Sequence, residues 1–424
     1  MPLRAVASRW ASDPDIATAY SYLRPGGTPA DRDRLADAIA PGLYLAGEAM
    51  SSEYPGTMHG AWFSGERAAR RALAEDGRPA RSAIVVGAGL AGFAAARHLR
   101  DAGCAVTVLE QADVAGGRIR TDRSLGVPVH LGAAWLHGDV GNPVADRAAA
   151  LGIGTTPSRW GTGTTFLAGR GRLDDDADKR LRDARAAVDD GIERAQRFGT
   201  EQDALGPVVR DLIDRHAASA DDRLVLDAWV NGVFENLYAA PVDDLSLLHC
   251  EEPFRLPGRD LTLTQGLDGF VASLADDLDL RCRVRVRAIR ANGACWSVET
   301  DDTTPLDADV VIVTVPVGAL KHGRIRFDPP LPAPIAKSLE HIGAGRIAKV
   351  FCTFDEAFWS PLWSFWVVAS PRLPIALWVD ASTLAGRPVL CGMATRDNAE
   401  LVERLSEPDL RALAARCLDA AGEF

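Results

Sequence analysis

Membrane-spanning length, patterned cysteine and positive charge are all scarce in this chain of 424 residues. No apolar run approaches the roughly 18 residues that read as a bilayer-spanning helix. The opening MPLRAVASRWASDPD lacks the apolar centre of a signal peptide. The seven cysteines (Cys104, Cys250, Cys282, Cys295, Cys352, Cys391 and Cys417) are odd in number and form no C-x-x-C pair. They predict reduced core thiols in a cytoplasmic protein, with neither a disulfide frame nor a metal site. Lys and Arg total 47 against 58 Asp and Glu, a net charge of -11. That balance speaks against a nucleic-acid binder, whose phosphate contacts need a basic footprint. There is no internal repeat and no low-complexity tract.

What is present suits a large globular enzyme. Hydrophobic residues make up 47% and charged residues 25%, enough for a sizeable core without staples. Residues 1–75 read as a unit. A polar stretch from Tyr22 to Pro41 leads to an apolar strand at Leu43–Ala46, then a glycine-bearing loop and a helix from Met58 to Ala74. Residues 76–81 read as a linker, polar with Gly and Pro. A strand (Ala83–Val86), a glycine turn, a helix to Ala102 and a second strand (Ala105–Leu109) follow. Residues 140–260 are helix-rich, with a charged, solvent-facing helix at Asp174–Phe198. Strands return between Leu280 and Val315. There Arg281, Arg283, Arg285 and Arg287 alternate with Cys282, Val284 and Val286, which predicts one strand with an arginine face. A last helix is expected at Asp409–Ala421.

The strongest chemical signal is Gly87-Ala88-Gly89-Leu90-Ala91-Gly92, a G-x-G-x-x-G set between a strand and a helix. Gly87 makes the tight turn, Gly89 lets backbone approach a pyrophosphate, and Gly92 lets helix pack on strand. The helix N-terminus then offers free N–H groups to phosphate. Glu110, at the end of the next strand, stands where a ribose-binding acid is expected. This predicts a dinucleotide but does not choose between NAD and FAD. The continuation Ala115-Gly116-Gly117-Arg118 resembles the second signature of FAD enzymes of the glutathione-reductase-like class, in which the arginine reaches the phosphate or ribityl chain.

Further motifs carry a wider resemblance. Leu131-Gly132-Ala133-Ala134-Trp135-Leu136-His137-Gly138, Thr262–Leu274, Asp309–Leu320, Phe327–Pro332 and Ile347-Ala348-Lys349-Val350 resemble successive segments of the flavin-containing amine oxidases: monoamine oxidases, polyamine oxidases and lysine-specific histone demethylases. Ser8-Arg9-Trp10, Leu45-Ala46-Gly47-Glu48 and Tyr54–Ala61 resemble the block that closes the chain in that family. Here it opens the chain, so the resemblance implies a circular permutation with its seam at the linker. The alternative is that residues 1–75 complete the site of a neighbouring copy.

The resemblance implies an α/β fold: a Rossmann FAD-binding part (82–139 and 261–325) and a mixed-sheet and helix substrate part (140–260 and 326–424), both completed by 1–75. It implies noncovalent FAD, because Thr18-Ala19-Tyr20 stands where monoamine oxidases carry the attachment cysteine. The implied cofactor residues are Gly87, Gly89, Leu90, Ala91, Gly92, Glu110, Gly117, Arg118, Gly132, Ala133, Trp135, Val284, Gly47, Glu48, Thr57 and Met58. Lys349 would assist reoxidation by oxygen. Tyr54 and Trp378, with Trp135, would form an aromatic cage, and His137 would line the substrate channel. The implied reaction turns an amine into an imine, with oxygen leaving as hydrogen peroxide. The implied partners are a small amine and oxygen, without nucleic acid or membrane; a homodimer is left open.

Two other readings compete. Trp359, Trp363, Trp366 and Trp378 around the expected pocket would suit a planar aromatic substrate of the indole kind, and an amino-acid substrate would want an arginine for its carboxylate. A flavin-bearing binding scaffold without turnover is the reading of a different class.

Overall fold

The computed structural model describes residues 1–74, 81–158, 163–301 and 304–422; of the expected linker, only Arg81 is among them. Two sheets organise the chain. The first has six strands in the order Asp279–Arg281, Ala105–Leu109, Ser82–Val86, Val310–Val313, Leu43–Leu45 and Ala38–Ala40. All its pairings are parallel except the last. Parallel strands are covered on both faces and read as continuous apolar runs, as SAIVV and VVIV do here. Ala83, Val85, Val108, Val310 and Ile312 face one apolar cluster, while Ile84, Val86, Leu109, Val311 and Val313 face another.

The Leu43–Leu45 strand belongs to the front of the chain but pairs with Val311–Val313. The helix Met58–Leu73 then lies against Leu90–Asp101. Their approach is close because Gly65 has no side chain: a Cβ there would stand 2.1 Å from the Ala91 carbonyl oxygen. Within one chain, therefore, the first 73 residues share a core with the glycine-motif strand.

The second sheet has seven strands in the order Arg4–Ala7, Ile347–Thr353, Val389–Thr395, Leu377–Asp380, Phe365–Ala369, Gly163–Leu167 and Gly171–Arg172. Its outer face packs on the helix Glu407–Asp419, through Leu410, Leu413 and Cys417. Above its far end sit the helices Asp175–Phe198, Leu205–His216 and Ala220–Val230, which share an apolar cluster with Leu167, Val367 and Ala369.

Several local expectations need correction. The arginine run is not one strand. Asp279–Arg281 joins the parallel sheet, Arg283 takes a left-handed φ of 61°, and a separate strand starts at Val286. The chain has to leave one sheet for another there, and the arginines disperse to Asp279, Asp15 and Asp301. The polar Tyr22–Pro41 stretch, given no element from sequence, is partly regular. It holds a helix at Pro29–Leu35, where Thr28 and Asp31 form a capping box. The Asp174–Phe198 helix is not wholly solvated, since Leu181, Val188 and Ile192 are buried. All seven cysteines are free; five are buried, while Cys282 and Cys295 are partly exposed. Among the described residues, no helix is long and apolar enough to cross a membrane.

Candidate active site

The two sheets meet over a cavity of about 940 Å³. One end is the glycine loop. Gly87 turns with φ 107°, and Gly92 lies behind it, where a Cβ would come 2.0 Å from the Gly87 carbonyl oxygen. Gly89 heads the following helix, and a Cβ on it would meet nothing within 4 Å. Glu110 accepts hydrogen bonds from the Ala88 N–H at 2.8 Å and the Ala112 N–H at 2.9 Å. An open helix N-terminus with a buried acid beside it fits a pyrophosphate and its attached ribose.

Of the residues expected to touch a cofactor, Gly87, Gly89, Leu90, Ala91, Glu110, Gly117, Arg118, Gly132, Ala133, Trp135, Val284, Gly47, Glu48, Thr57 and Met58 all line this cavity. Gly92 does not; it sets the helix-to-strand spacing. Arg118 Nη1 donates to Glu48 Oε1 at 2.9 Å and to the Ala19 carbonyl at 2.9 Å. The other Glu48 oxygen accepts from the Ser21 hydroxyl and the Gly56 N–H. Burial pushes the Glu48 carboxyl up, but Arg118, the Ser21 bond and Arg32 outweigh it and hold it below the usual carboxylate range. Arg32 is fully buried, bidentate to Glu252 and bonded to Ser21. Thr57 caps the helix that begins at Met58 and points its N-terminus at the cavity.

Lys349 stands mid-cavity on the Ile347–Thr353 strand. Its Nζ donates to the Gly132 carbonyl at 2.7 Å and lies 4.3 Å from the centroid of the Trp135 ring. Burial lowers its pKa, and the ring face and the carbonyl are what its ammonium meets among the described residues. His137 lines the wall, with Nδ1 3.5 Å from Asp260 and its ring edge-on to Phe254.

The expected aromatic cage is not assembled. Trp378 is fully buried on the outer face of the second sheet, opposite Trp366 and Gly392. Its neighbours Leu377 and Val379 line the cavity instead. Side chains alternate along a strand, so choosing Trp378 placed the site on the wrong face by one residue. Tyr54 packs on His59 and Phe63 at centroid distances of 5.0 and 5.9 Å, outside the cavity lining. Trp359, Trp363 and Trp366 stack with Phe166 and Phe354 in the outer core. The tryptophan richness that suggested a planar aromatic substrate is thus core packing. Of the cage candidates only Trp135 faces the cavity.

Sequence reasoning missed much of the cavity wall: Trp229, Asn236, Tyr238, Phe254, Phe365 and Arg185. Arg185, Trp229, Asn236 and Tyr238 lie on helices, Phe365 on a strand and Phe254 in a loop, and which of these side chains turns inward is set by packing between elements, which no single segment carries.

A model of flavin-containing amine oxidoreductases matches residues 1–73 and 90–422. Polyamine oxidase 4 of Oryza sativa subsp. japonica is 30% identical over 343 residues, which cover 77% of this chain and 70% of that protein. Lysine-specific histone demethylase 2 of Homo sapiens is 33% identical over 293 residues, 66% of this chain but 35% of its own length. Among solved structures, wild-type putrescine oxidase bound to putrescine superposes with a TM-score of 0.61 at 22% identity, over 80% of this chain and 81% of that one. That likeness extends to the fold.

Proposed function

The chain belongs to the flavin-containing amine oxidoreductases, and on that footing we propose that it is an FAD-dependent oxidase of a small amine. The observation that carries this reading is Lys349, buried over Trp135 in a cavity continuous with the glycine loop. The substrate loses a hydride from the carbon beside its neutral amine nitrogen and leaves as the protonated imine, which gives up its proton to water. Bound FAD supplies the two-electron acceptor, and oxygen then takes the electrons as hydrogen peroxide. The polyamine and putrescine in the names of the relatives favour an amine over other C–H donors.

The protein's own residues bind, orient and exclude water. The N-terminus of the Leu90–Asp101 helix holds the pyrophosphate, and Glu110 faces the ribose. Glu48 and Arg118 would help hold the cofactor, and the N-terminus of the helix that begins at Met58 would favour negative charge on it. Lys349 spends one donor on Gly132 and keeps others to hold a water beside Trp135. The flavin is held noncovalently, as Thr18-Ala19-Tyr20 offers no cysteine. Residues 1–75 act as a permuted closing block, which the pairing of Leu43–Leu45 beside Val310–Val313 supports. On this reading 82–139 and 261–325 bind FAD, and 140–260 and 326–424 bind substrate. The test is peroxide release by the purified yellow protein over an amine panel. Flavin reduction by an amine without air, and return of colour with air, is the expected result. Bound, reducible FAD that no amine reduces would instead favour a scaffold.

A further inference from the structure

We infer that the end of the cavity on the far side of Lys349 from the glycine loop receives an anionic group of the substrate, held by Arg185. The inference rests on the amine-oxidation reading and adds the chemistry of the substrate's other end. Lys349, Met393, Leu377, Val367 and Thr165 stand opposite one another on five successive strands, and all five line the cavity. Four strand spacings of about 4.8 Å set Thr165 roughly 19 Å from Lys349. The cavity floor is therefore a long trough with its reactive end marked by Lys349.

Arg185 belongs to the other end. Its helix packs on Ala220–Val230, which lies over the Phe365 and Gly163 strands. Leu181, one turn before it, shares a cluster with Leu167 and Val367. Arg185 lines the cavity, and its buried Nε has no hydrogen-bond partner. Asp178 is the acid that bears on it, but that carboxylate is bonded to Arg182. A guanidinium stays charged at any working pH, and this one, half-buried with its Nε shut off from solvent and unpartnered, is left short of a hydrogen-bond acceptor. A ligand anion would supply that acceptor with the bidentate geometry arginine favours.

The same trough is poorly made for a second ammonium group. Of the six acids that line the cavity, four are already paired with an arginine. Asp15 pairs with Arg285, Glu48 with Arg118, Glu252 with Arg32 and Asp260 with Arg255. Glu110 is bonded to two backbone N–H groups, and Asp13 accepts from the Asp15 N–H. An elongated monoamine with a distal carboxylate fits this distribution better than a polycation.

Three probes of one chain length isolate the far end: ω-aminododecanoate, n-dodecylamine and α,ω-diaminododecane. With the FAD-loaded protein, two quantities are read for each: the apparent Kd from perturbation of the flavin spectrum, and KM from peroxide release. The expected order of affinity is carboxylate, then methyl, then ammonium. In Arg185→Met the ratio of carboxylate to methyl affinity falls about tenfold, the scale of a lost charged hydrogen bond. Arg185→Lys keeps part of it, and Arg185→Glu moves the preference to the diamine. Tighter binding of the diamine by the wild type, a ratio that survives Arg185→Met, or absence of binding by every probe overturns the inference. Binding in the expected order without oxidation would instead fault the amine-oxidation reading and leave the anion site standing.

Discussion

Arg118 and Glu48, 70 residues apart in sequence, meet at 2.9 Å across the cavity wall. The arginine comes from the Gly-Gly-Arg turn and the glutamate from the block that opens the chain. Their contact ties that block to the rest of the site. Glu48 is buried with a depressed pKa, so its stabilising effect is present above the ordinary carboxylate range and is lost as pH falls through its folded value. Arg118→Met leaves the buried carboxylate short of its cation and should cost about 2 kcal/mol near neutral pH. Urea unfolding should show that gap narrowing in acid, and the variant should retain less flavin on gel filtration.

Lys349 gives the opposite stability sign to a simple removal of a contact. Burial lowers its pKa, so the folded chain binds that proton more weakly than the unfolded chain. Stability then rises with pH as the folded value and then the ordinary 10.5 are passed. Lys349→Met should therefore be more stable than the wild type at neutral pH, by about 1 kcal/mol, with the advantage shrinking toward alkaline pH. Thermal unfolding across pH checks this. Equal or lower stability at pH 7 would mean the Trp135 face and the Gly132 carbonyl already compensate the charge.

Two histidines predict acid sensitivity that sets in above the carboxylate range. Burial, with His137 nearby, lowers His59 to about 4; burial, with Lys349 nearby, lowers His130 to about 4. Unfolded imidazole takes its proton near 6.5. Their contribution is full above that value and drains as pH falls toward 4. The urea midpoint should slope down through this window, and His130→Asn should flatten the slope. An unchanged slope would contradict the assignment.

Strand alternation separates Trp378 from its neighbour. Trp378→Phe should lower stability by about 1–3 kcal/mol through a core void, with KM for an amine unaltered. Leu377→Ala opens the cavity floor and should shift KM instead. A KM change in Trp378→Phe would return that ring to the site.

These residues also mark what the sequence carried. The glycine loop and Glu110 were legible because backbone geometry and phosphate chemistry restrict them to a short, spaced motif, whereas Gly117-Arg118 and Gly47-Glu48 were legible through resemblance to the family. Lys349 was legible because a lysine in an apolar strand is rare. The cavity wall was not legible. Trp378 against Leu377 depends on strand register, which a continuous apolar run does not reveal. Tyr54 is turned aside by packing on His59 and Phe63. Arg185 sits on a helix dense with charge, where its inward turn depends on how three helices stack over the far end of the sheet.

Anaerobic mixing of the FAD-loaded protein with an amine, followed by oxygen, tests the central claim most directly. The account predicts bleaching of the flavin band by the amine, stoichiometric peroxide on reoxidation, and reoxidation markedly slowed in Lys349→Met. A flavin reduced by dithionite but by no amine would contradict amine oxidation, and reoxidation at the wild-type rate in Lys349→Met would contradict the role given to that lysine.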